Sequence, residues 1–150
     1  MPRVAAHPEW PTDLVSEVVR RVRGMSHAPL AVVHGQPSPA NVVQRTDGSV
    51  TLLDWDESGT GPAVLDVGYP QICIFLTEEN HWQEELARAF FHSYRDTAST
   101  GLPAVRDIFT AALLHGMRSA MFANHPARLE RVRYALDVED KLIATVRGDT

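Results

Sequence analysis

The segment LAVVHGQPSPANVVQRTDGSVTLLDWD, residues 30–56, contains the pattern that decides how this chain folds. Its first four residues, 30–33, are apolar and partly β-branched, which predicts a short buried strand. The strand runs into a tight loop at His34-Gly35, and the loop then carries two prolines two residues apart. Because proline removes a backbone donor and restricts the residue before it, this loop is predicted to be stiff and not helical.

A hairpin is predicted directly after the loop. The runs 41–45 and 50–55 are strand-like, and Asp47-Gly48 between them is a strong turn signal. An antiparallel pairing of the two runs would bring Asn41, at the start of one strand, close to Asp54, at the end of the other. Residues 57–62 are polar and glycine-rich, and they predict a flexible loop.

The rest of the chain is predicted to be mainly helical. Apolar residues recur at helical spacing over 13–23, where Thr12 or Asp13 could cap the helix, and again after residue 63. The later helices are predicted over 64–76 (ambiguous with a strand), 78–97, 103–122 and 126–146. The predicted fold class is α+β, mainly α: one helix, a small β-hairpin element, then about four helices. We predict a single domain over 13–146, preceded by an extended lead-in over 1–12 and followed by a tail over 147–150.

Composition excludes several classes of protein. The 150 residues carry a formal net charge of −5, and the 13 arginines and single lysine form no basic tract, so nucleic acid is not an expected partner. A single cysteine, Cys73, excludes an internal disulfide. No apolar run is long enough to cross a membrane, and the N-terminus lacks the apolar region of a signal peptide, so we expect a cytoplasmic protein without membrane contact.

The polar residues of the hairpin predict a site for a divalent cation. An amide oxygen from Asn41 and a carboxylate from Asp54 form a hard-oxygen donor set that suits Mg²⁺. The alternative is a polar hairpin in which both side chains only cap local backbone. A separate group, Arg128, Arg131 and Arg133, predicts a solvated helix face, with an anion site as the alternative.

Four short motifs in this order resemble the aminoglycoside phosphotransferase and choline kinase family, which has a protein-kinase-like architecture. His34-Gly35 with Asn41, then Leu53-Asp54-Trp55-Asp56, resemble the catalytic loop and metal motif of that family. Gly61-Pro62 and Asp66-Val67-Gly68 resemble two downstream motifs. The resemblance implies that the fold is a kinase-like C-terminal lobe, a transferase lobe that acts with ATP and magnesium on a hydroxyl acceptor.

The resemblance also implies a role for each matching residue. Asn41 and Asp54 would be the Mg²⁺ ligands that bridge the nucleotide phosphates, with Asp56 as a weaker ligand beside them. His34 would brace the catalytic loop from within. Asp66 would hold the backbone of that loop through hydrogen bonds.

Two departures from the family pattern change the expected function. Gln36 occupies the position of the catalytic Asp, and an amide is not a useful base near neutral pH. Only about 12 residues precede the first predicted helix and no lysine precedes Lys141, so we expect the C-terminal lobe alone, without the N-terminal lobe. ATP and Mg²⁺ are then implied cofactors whose binding we expect to be weakened.

Three functions remain open at this point. The first is a pseudokinase-like binding module, impaired or inactive as a kinase, that takes a small-molecule ligand. The second is an ATP- and Mg²⁺-dependent small-molecule phosphotransferase completed by another chain. The third is a helical protein-interaction domain with a vestigial site. Because the N-terminal lobe would normally cover apolar surface at the top of this lobe, we expect a homodimer or a partner chain to cover it.

Overall fold

A computed structural model describes residues 10–25, 29–99, 101–123 and 126–148. Its six helices are α1 (Thr12–Arg23), α2 (Val64–Cys73), α3 (Glu84–Thr97), α4 (Val105–Ala123), α5 (Pro126–Asp137) and α6 (Glu139–Arg147). Its four strands are β1 (Leu30–Val33), β2 (Val42–Gln44), β3 (Val50–Leu52) and β4 (Gly59–Pro62). The predicted fold class, α+β and mainly α with a small β element, is confirmed. Most of the predicted lead-in, residues 1–9, and the end of the predicted tail, residues 149–150, lie outside the described residues.

The strands form two antiparallel pairs, one enclosed in sequence by the other. β1 pairs with β4 from Leu30↔Pro62 to Val33↔Gly59, and β2 pairs with β3 from Val42↔Leu52 to Gln44↔Val50. The prediction of a flexible loop over 57–62 is therefore wrong at β4. This strand has no alternating apolar side chains to reveal it, because its sequence is Gly-Thr-Gly-Pro and its backbone alone makes the pairing.

Helices α2 and α4 lie at the centre of the helical body and approach each other closely. A Cβ atom built on Gly68 would lie 2.6 Å from Ala111 Cβ and 2.8 Å from both Ala112 N and Ile108 O. Further along α4, a Cβ on Gly116 would lie 2.8 Å from Val132 Cγ2 of α5 and 3.0 Å from Ile72 Cγ2 of α2. The two glycines therefore permit helix contacts that any larger residue would push apart.

The buried core forms two adjoining clusters. The larger one joins residues of all six helices and of the segment between α2 and α3, and the smaller one joins residues of α2, α3, α4 and α6. The largest side chains that are almost completely buried are Phe91, Ile72, Leu76, Ile108, Leu113, His34, Val64 and Val132. His34 is the polar exception in this set, which ties the loop after β1 directly to the core.

Three predicted helix details differ from the structure. The helix predicted over 78–97 begins at Glu84, because Leu76 and Trp82 first form an isolated β-bridge around a turn. The helix predicted over 126–146 is two helices separated at Val138, whose ψ is 18°. One non-helical residue hardly disturbs the apolar periodicity, so the sequence pattern conceals the break. Helix α1 begins after Pro11, and no side-chain cap from Thr12 or Asp13 forms.

No helix within the described ranges has both the length and the apolar character needed to cross a lipid bilayer.

Candidate functional site

The loop after β1 is held by the carboxylate of Asp66 in the first turn of α2. Its Oδ2 accepts a hydrogen bond from the backbone N–H of His34 at 2.6 Å, and its Oδ1 accepts one from Gly35 at 2.9 Å. Hydrogen bonds to an ionised acceptor are stronger than those between neutral groups. Asp66, for which the family resemblance implied a bracing role, therefore contacts the loop backbone through both of its oxygens.

His34 fastens the same loop to the hairpin. Its ring is 2 % exposed, Nδ1 accepts a hydrogen bond from Gln36 N at 3.3 Å, and Nε2 lies 2.8 Å from Leu53 O. Because Nδ1 accepts from a backbone N–H and a carbonyl can only accept, the geometry assigns the donor role to Nε2. The ring also contacts Trp55, with centroids 4.7 Å apart. With both nitrogens occupied, His34 positions neighbouring residues and has no free atom for acid–base chemistry.

Gly35 allows the loop to turn at this point. Its φ of +84° is rarely adopted by residues with a side chain, and an added Cβ would lie 2.6 Å from Glu57 O. The chain therefore passes between Asp66 and the segment after β3 with no spare room. Gln36 follows directly, and its position is set by both contacts.

Asn41 and Asp54 lie at the open end of the hairpin. The backbone N–H of Leu53 donates to Asn41 O at 2.8 Å, so Asp54 is one residue beyond this pair. The amide Nδ2 of Asn41 donates to Gln36 O at 3.1 Å, which leaves Oδ1 as its remaining acceptor. Asp54 has a left-handed backbone with φ of +58°, an unusual conformation for an aspartate that often marks functional positions. Asp54 and Asp56 are both exposed.

This donor set fits a magnesium ion better than a transition metal. One amide oxygen and one or two exposed carboxylates are hard ligands, and Mg²⁺ commonly takes only one or two carboxylates and keeps several waters. Within the part of the chain that the structure describes, no group of three or more His, Cys, Asp or Glu side chains could hold a metal ion.

A cavity of about 370 Å³ opens beside Gln36. The loop and the segment after β3 contribute Gln36 and Glu57, and α2 contributes Tyr69 and Cys73. The opposite wall comes from α4 and α5, and its polar residues are His115, Arg118, Ser119, Arg128 and Arg131. Gln36 is thus the residue through which the loop meets a half-open cleft of the size that holds small ligands.

A model of the phosphotransferase enzyme family matches residues 4–108. The chain belongs to this family. The matched range contains the loop, the hairpin, α2 and α3, and it ends in the first turn of α4. No curated protein and no solved structure matches the chain.

In this phosphotransferase-family chain, the side chains of Cys73, Tyr69 and His115, which all line the cavity, are neutral at physiological pH. Burial raises the pKa of the Cys73 thiol to about 11, against the opposing effect of nearby arginines, so the poorly nucleophilic thiol form prevails. Burial also raises the pKa of Tyr69, opposed by a hydrogen bond with the Gln36 side chain. His115 is held neutral because burial lowers its pKa, and its Nε2 lies 3.0 Å from Leu65 O.

Sequence reasoning missed most of this cavity. It predicted a solvated face for Arg128, Arg131 and Arg133, with an anion site as the alternative. Of these three, Arg128 and Arg131 line the cavity, together with Arg118 from α4. Arg133 is half-buried outside the cavity lining, and it pairs with Asp13 and Glu130. The sequence did indicate that Arg128 and Arg131, three residues apart, share one face of a helix. It could not indicate which other element that face packs against.

Proposed function

We propose that this chain is a small-molecule-binding member of the phosphotransferase family that is impaired or inactive in phosphoryl transfer. One observation carries the proposal: the residue that the braced loop presents to the cavity is Gln36, a neutral amide. In the family pattern described above, the corresponding position is an aspartate that accepts the proton of the acceptor hydroxyl. The ligand pocket is therefore retained while the base is replaced.

The chemistry of the amide explains what would be lost and what would remain. Loss of a general base typically lowers a rate by about 10²–10⁴-fold. An amide still donates and accepts hydrogen bonds, so Gln36 could orient a ligand hydroxyl. Its side chain lines the cavity together with Tyr69. The loop can therefore still bind a ligand hydroxyl, but it lacks the base that efficient phosphoryl transfer needs.

A second candidate function is supported by the hairpin. Asn41 and Asp54, retained at the open end and adjacent to Gln36, would be the residues that hold Mg²⁺, with Asp56 beside them. When bound, the ion would neutralise and orient nucleotide phosphates. The chain would then be an ATP-dependent phosphotransferase on a hydroxyl acceptor, with the phosphate-covering part of the nucleotide cleft supplied by another polypeptide.

Substitution Gln36→Asp separates the two candidates. Under the first proposal, the wild-type chain with Mg²⁺ hydrolyses ATP either undetectably or at a low rate. A measurable wild-type rate should increase about 10²-fold or more in Gln36→Asp, because the variant regains a base. Hydrolysis is the readout because water serves as the acceptor, so the natural substrate need not be known. Asp54→Ala is the control and should abolish any activity that depends on the metal. Wild-type turnover that Gln36→Asp fails to increase would contradict the first proposal and favour the second.

Binding of the cofactors is measured separately by thermal shift. Because a ligand of the native state raises stability by RT ln(1 + [L]/Kd), even weak binding is visible at high concentration. The second candidate requires a shift that needs Mg²⁺ and ATP together and that Asp54→Ala removes. A chain that shows no such shift, and no small-molecule binding, would instead be a helical interaction domain with a vestigial hairpin site.

We also propose that a second copy of the chain covers the apolar surface of the two sheets. The exposed apolar residues there are Leu30, Val32, Val42, Val43, Val50, Leu53 and Trp55. The most exposed are Val32 at 75 % and Leu30 at 72 %, on the same side of β1. Leu30 and Val32 thus form an apolar strip along β1, and exposed apolar surface of this kind commonly marks a protein contact.

The substitution Val32→Ser tests this dimer. We expect the wild-type chain to have the mass of a dimer by size exclusion with light scattering and Val32→Ser to shift it toward the monomer. The melting temperature at low concentration should hardly change, because a side chain this exposed contributes little to the fold. Val19→Ser on α1, another exposed valine at 42 %, should leave the dimer intact. A monomeric wild-type chain would rule the proposal out and direct attention to a different partner chain.

A further inference from the structure

Three arginines from two helices converge on one wall of the Gln36 cavity. Arg118 extends from α4, and Arg128 and Arg131 extend from α5. All three lie close enough to Cys73 for their positive charges to act on its thiol. The chain as a whole has a formal net charge of −5, so this wall is a local concentration of positive charge on an acidic protein.

The internal partners of these arginines leave part of the positive charge uncompensated. Arg131 has Glu78 at 3.8 Å, but that glutamate side chain is 86 % exposed, and such solvated pairs contribute little. Arg128 donates to Ser119 Oγ at 2.7 Å and to Ser119 O at 3.3 Å, both neutral acceptors. Within the described ranges, no carboxylate forms an ion pair with Arg128. Arg118 alone has a close carboxylate partner, Glu57.

The geometry of the guanidinium group makes this arrangement a suitable receptor. Each guanidinium presents five N–H donors in a planar fork, and the bonds to Ser119 use only part of the capacity of Arg128. Arg131 is 15 % exposed, so its charge acts in a partly desolvated setting where a bound anion would be screened less by water. A fork of this kind pairs with the two oxygens of a carboxylate or phosphate.

The opposite wall of the cavity carries one carboxylate, Glu57, which already pairs with Arg118, and its other polar groups are neutral. It presents the Gln36 amide, the protonated Cys73 thiol and Tyr69. A cationic ligand would be repelled by three arginines and attracted by two glutamates. One of these glutamates, Glu78, lies largely in solvent. The two walls together therefore favour a ligand that is anionic at one end and polar but uncharged at the other.

We propose that the cavity binds a small organic oxyanion, whose carboxylate or phosphate group is held by Arg128 and Arg131 with Arg118 beside them and whose hydroxyl faces Gln36. This assignment rests on the proposed function, because it names the ligand class of the same cavity. The available volume of about 370 Å³ is at the small end of the range for ligand pockets, which suits a compact metabolite.

Calorimetric titration of the whole chain, without nucleotide, tests the assignment. The probes are glycerol 3-phosphate, glycerate, glycerol and a polycationic aminoglycoside. Binding of glycerol 3-phosphate or glycerate, with glycerol and the aminoglycoside bound at least about tenfold more weakly, is the expected result. The tighter of the two anions identifies the oxyanion as phosphate or carboxylate.

Matched arginine variants locate the binding. Arg128→Gln and Arg131→Gln should each lower the affinity for the tighter anion by about 10- to 100-fold, because each removes hydrogen bonds to a charged group. Arg133→Gln removes the same charge from the same helix but outside the cavity, and it should leave affinity unchanged. Arg131→Gln is the informative variant if Arg128→Gln fails to fold, and circular dichroism of each variant establishes which of them are native.

Several results would overturn the inference. Absence of binding by both anions would do so, as would an aminoglycoside that binds more tightly than either. An equal loss of affinity in Arg133→Gln would show attraction to general positive charge, with no defined site. None of these outcomes depends on ATP. The inference can therefore fail while Gln36→Asp still supports the proposed function, and it can hold even if wild-type phosphoryl transfer is found.

Discussion

Replacement of Asp66 by alanine is expected to lower the free energy of unfolding by about 3 kcal/mol. The substitution removes the acceptor of two backbone hydrogen bonds, from His34 N at 2.6 Å and Gly35 N at 2.9 Å. Hydrogen bonds to charged groups contribute about 1.5–3 kcal/mol each, and a buried donor left without a partner adds a desolvation cost. In a domain of this size the melting temperature should fall by about 6–12 °C.

Asp47→Ala is the matched control for this prediction. Asp47 also accepts two hydrogen bonds, from Ser49 N at 2.9 Å and Ser49 Oγ at 2.7 Å, but both lie on the exposed hairpin turn. Water can replace them, so we expect the loss in Asp47→Ala to be within about 0.5 kcal/mol. Equal losses in the two variants would show that Asp66 braces the loop no more than an ordinary turn residue does.

Amide hydrogen exchange shows whether the loop itself is released. In Asp66→Ala the amides of His34 and Gly35 should exchange faster than in the wild-type chain, while amides in the centre of α4 stay protected. Gln36 would then lose its fixed place at the cavity, and affinity for a cavity ligand should fall even at temperatures where the variant is folded. Unchanged protection at Gly35 would contradict the bracing role.

Replacement of Gly68 by alanine is the second change with a large expected effect. Alanine normally favours a helix interior over glycine by about 1 kcal/mol. Here the added Cβ would lie 2.6 Å from Ala111 Cβ and 2.8 Å from Ala112 N and Ile108 O. Two of these three atoms are backbone, so α2 and α4 must separate. Overpacking costs about 1–3 kcal/mol or more, and we expect a net loss near 2 kcal/mol.

Gly59→Ala provides the control for Gly68→Ala. Gly59 lies in β4, and a Cβ there would meet no atom within 4 Å. The melting temperature of Gly59→Ala should match or slightly exceed that of the wild-type chain, whereas that of Gly68→Ala should be about 4–8 °C lower. If Gly68→Ala were as stable as Gly59→Ala, the close approach of α2 and α4 would not be a property of the folded chain.

The parts of the fold that could be predicted are those determined by local patterns. The strand at residues 30–33 and the helix beginning near Thr12 follow from apolar spacing over a few neighbours, and the hairpin follows from Asp47-Gly48. Strand β4 could not be predicted, because Gly59–Pro62 pairs through its backbone with a strand far away in sequence. The break at Val138 leaves the apolar pattern intact, so it was also concealed.

The residues of the candidate site also divide into those that local sequence indicates and those that only tertiary packing brings together. The motif residues from His34 to Asp56 and Asp66 are adjacent to recognisable turns and strand ends, which is why the sequence indicates them. The arginines of the cavity are spread over two helices, at positions 118, 128 and 131, and only the packing of α4 against α5 brings them together. A charge pattern on one helix does not specify what the helix face opposes, so their common role became visible only in three dimensions.

The enclosure of one strand pair by the other affects the order in which the site can assemble during folding. Closing β1 onto β4 directly would require a loop over residues 34–58, whereas β2 and β3 are joined by residues 45–49 alone. Loop-closure entropy rises by about 0.6 kcal/mol for each doubling of length. When the inner hairpin forms before the outer pair, it shortens the loop that β1 and β4 must close. Strand pairing that proceeds outward from the Asp47 turn therefore has the lowest entropic cost. The loop bearing Gln36 would then be ordered last, when α2 docks and Asp66 reaches it.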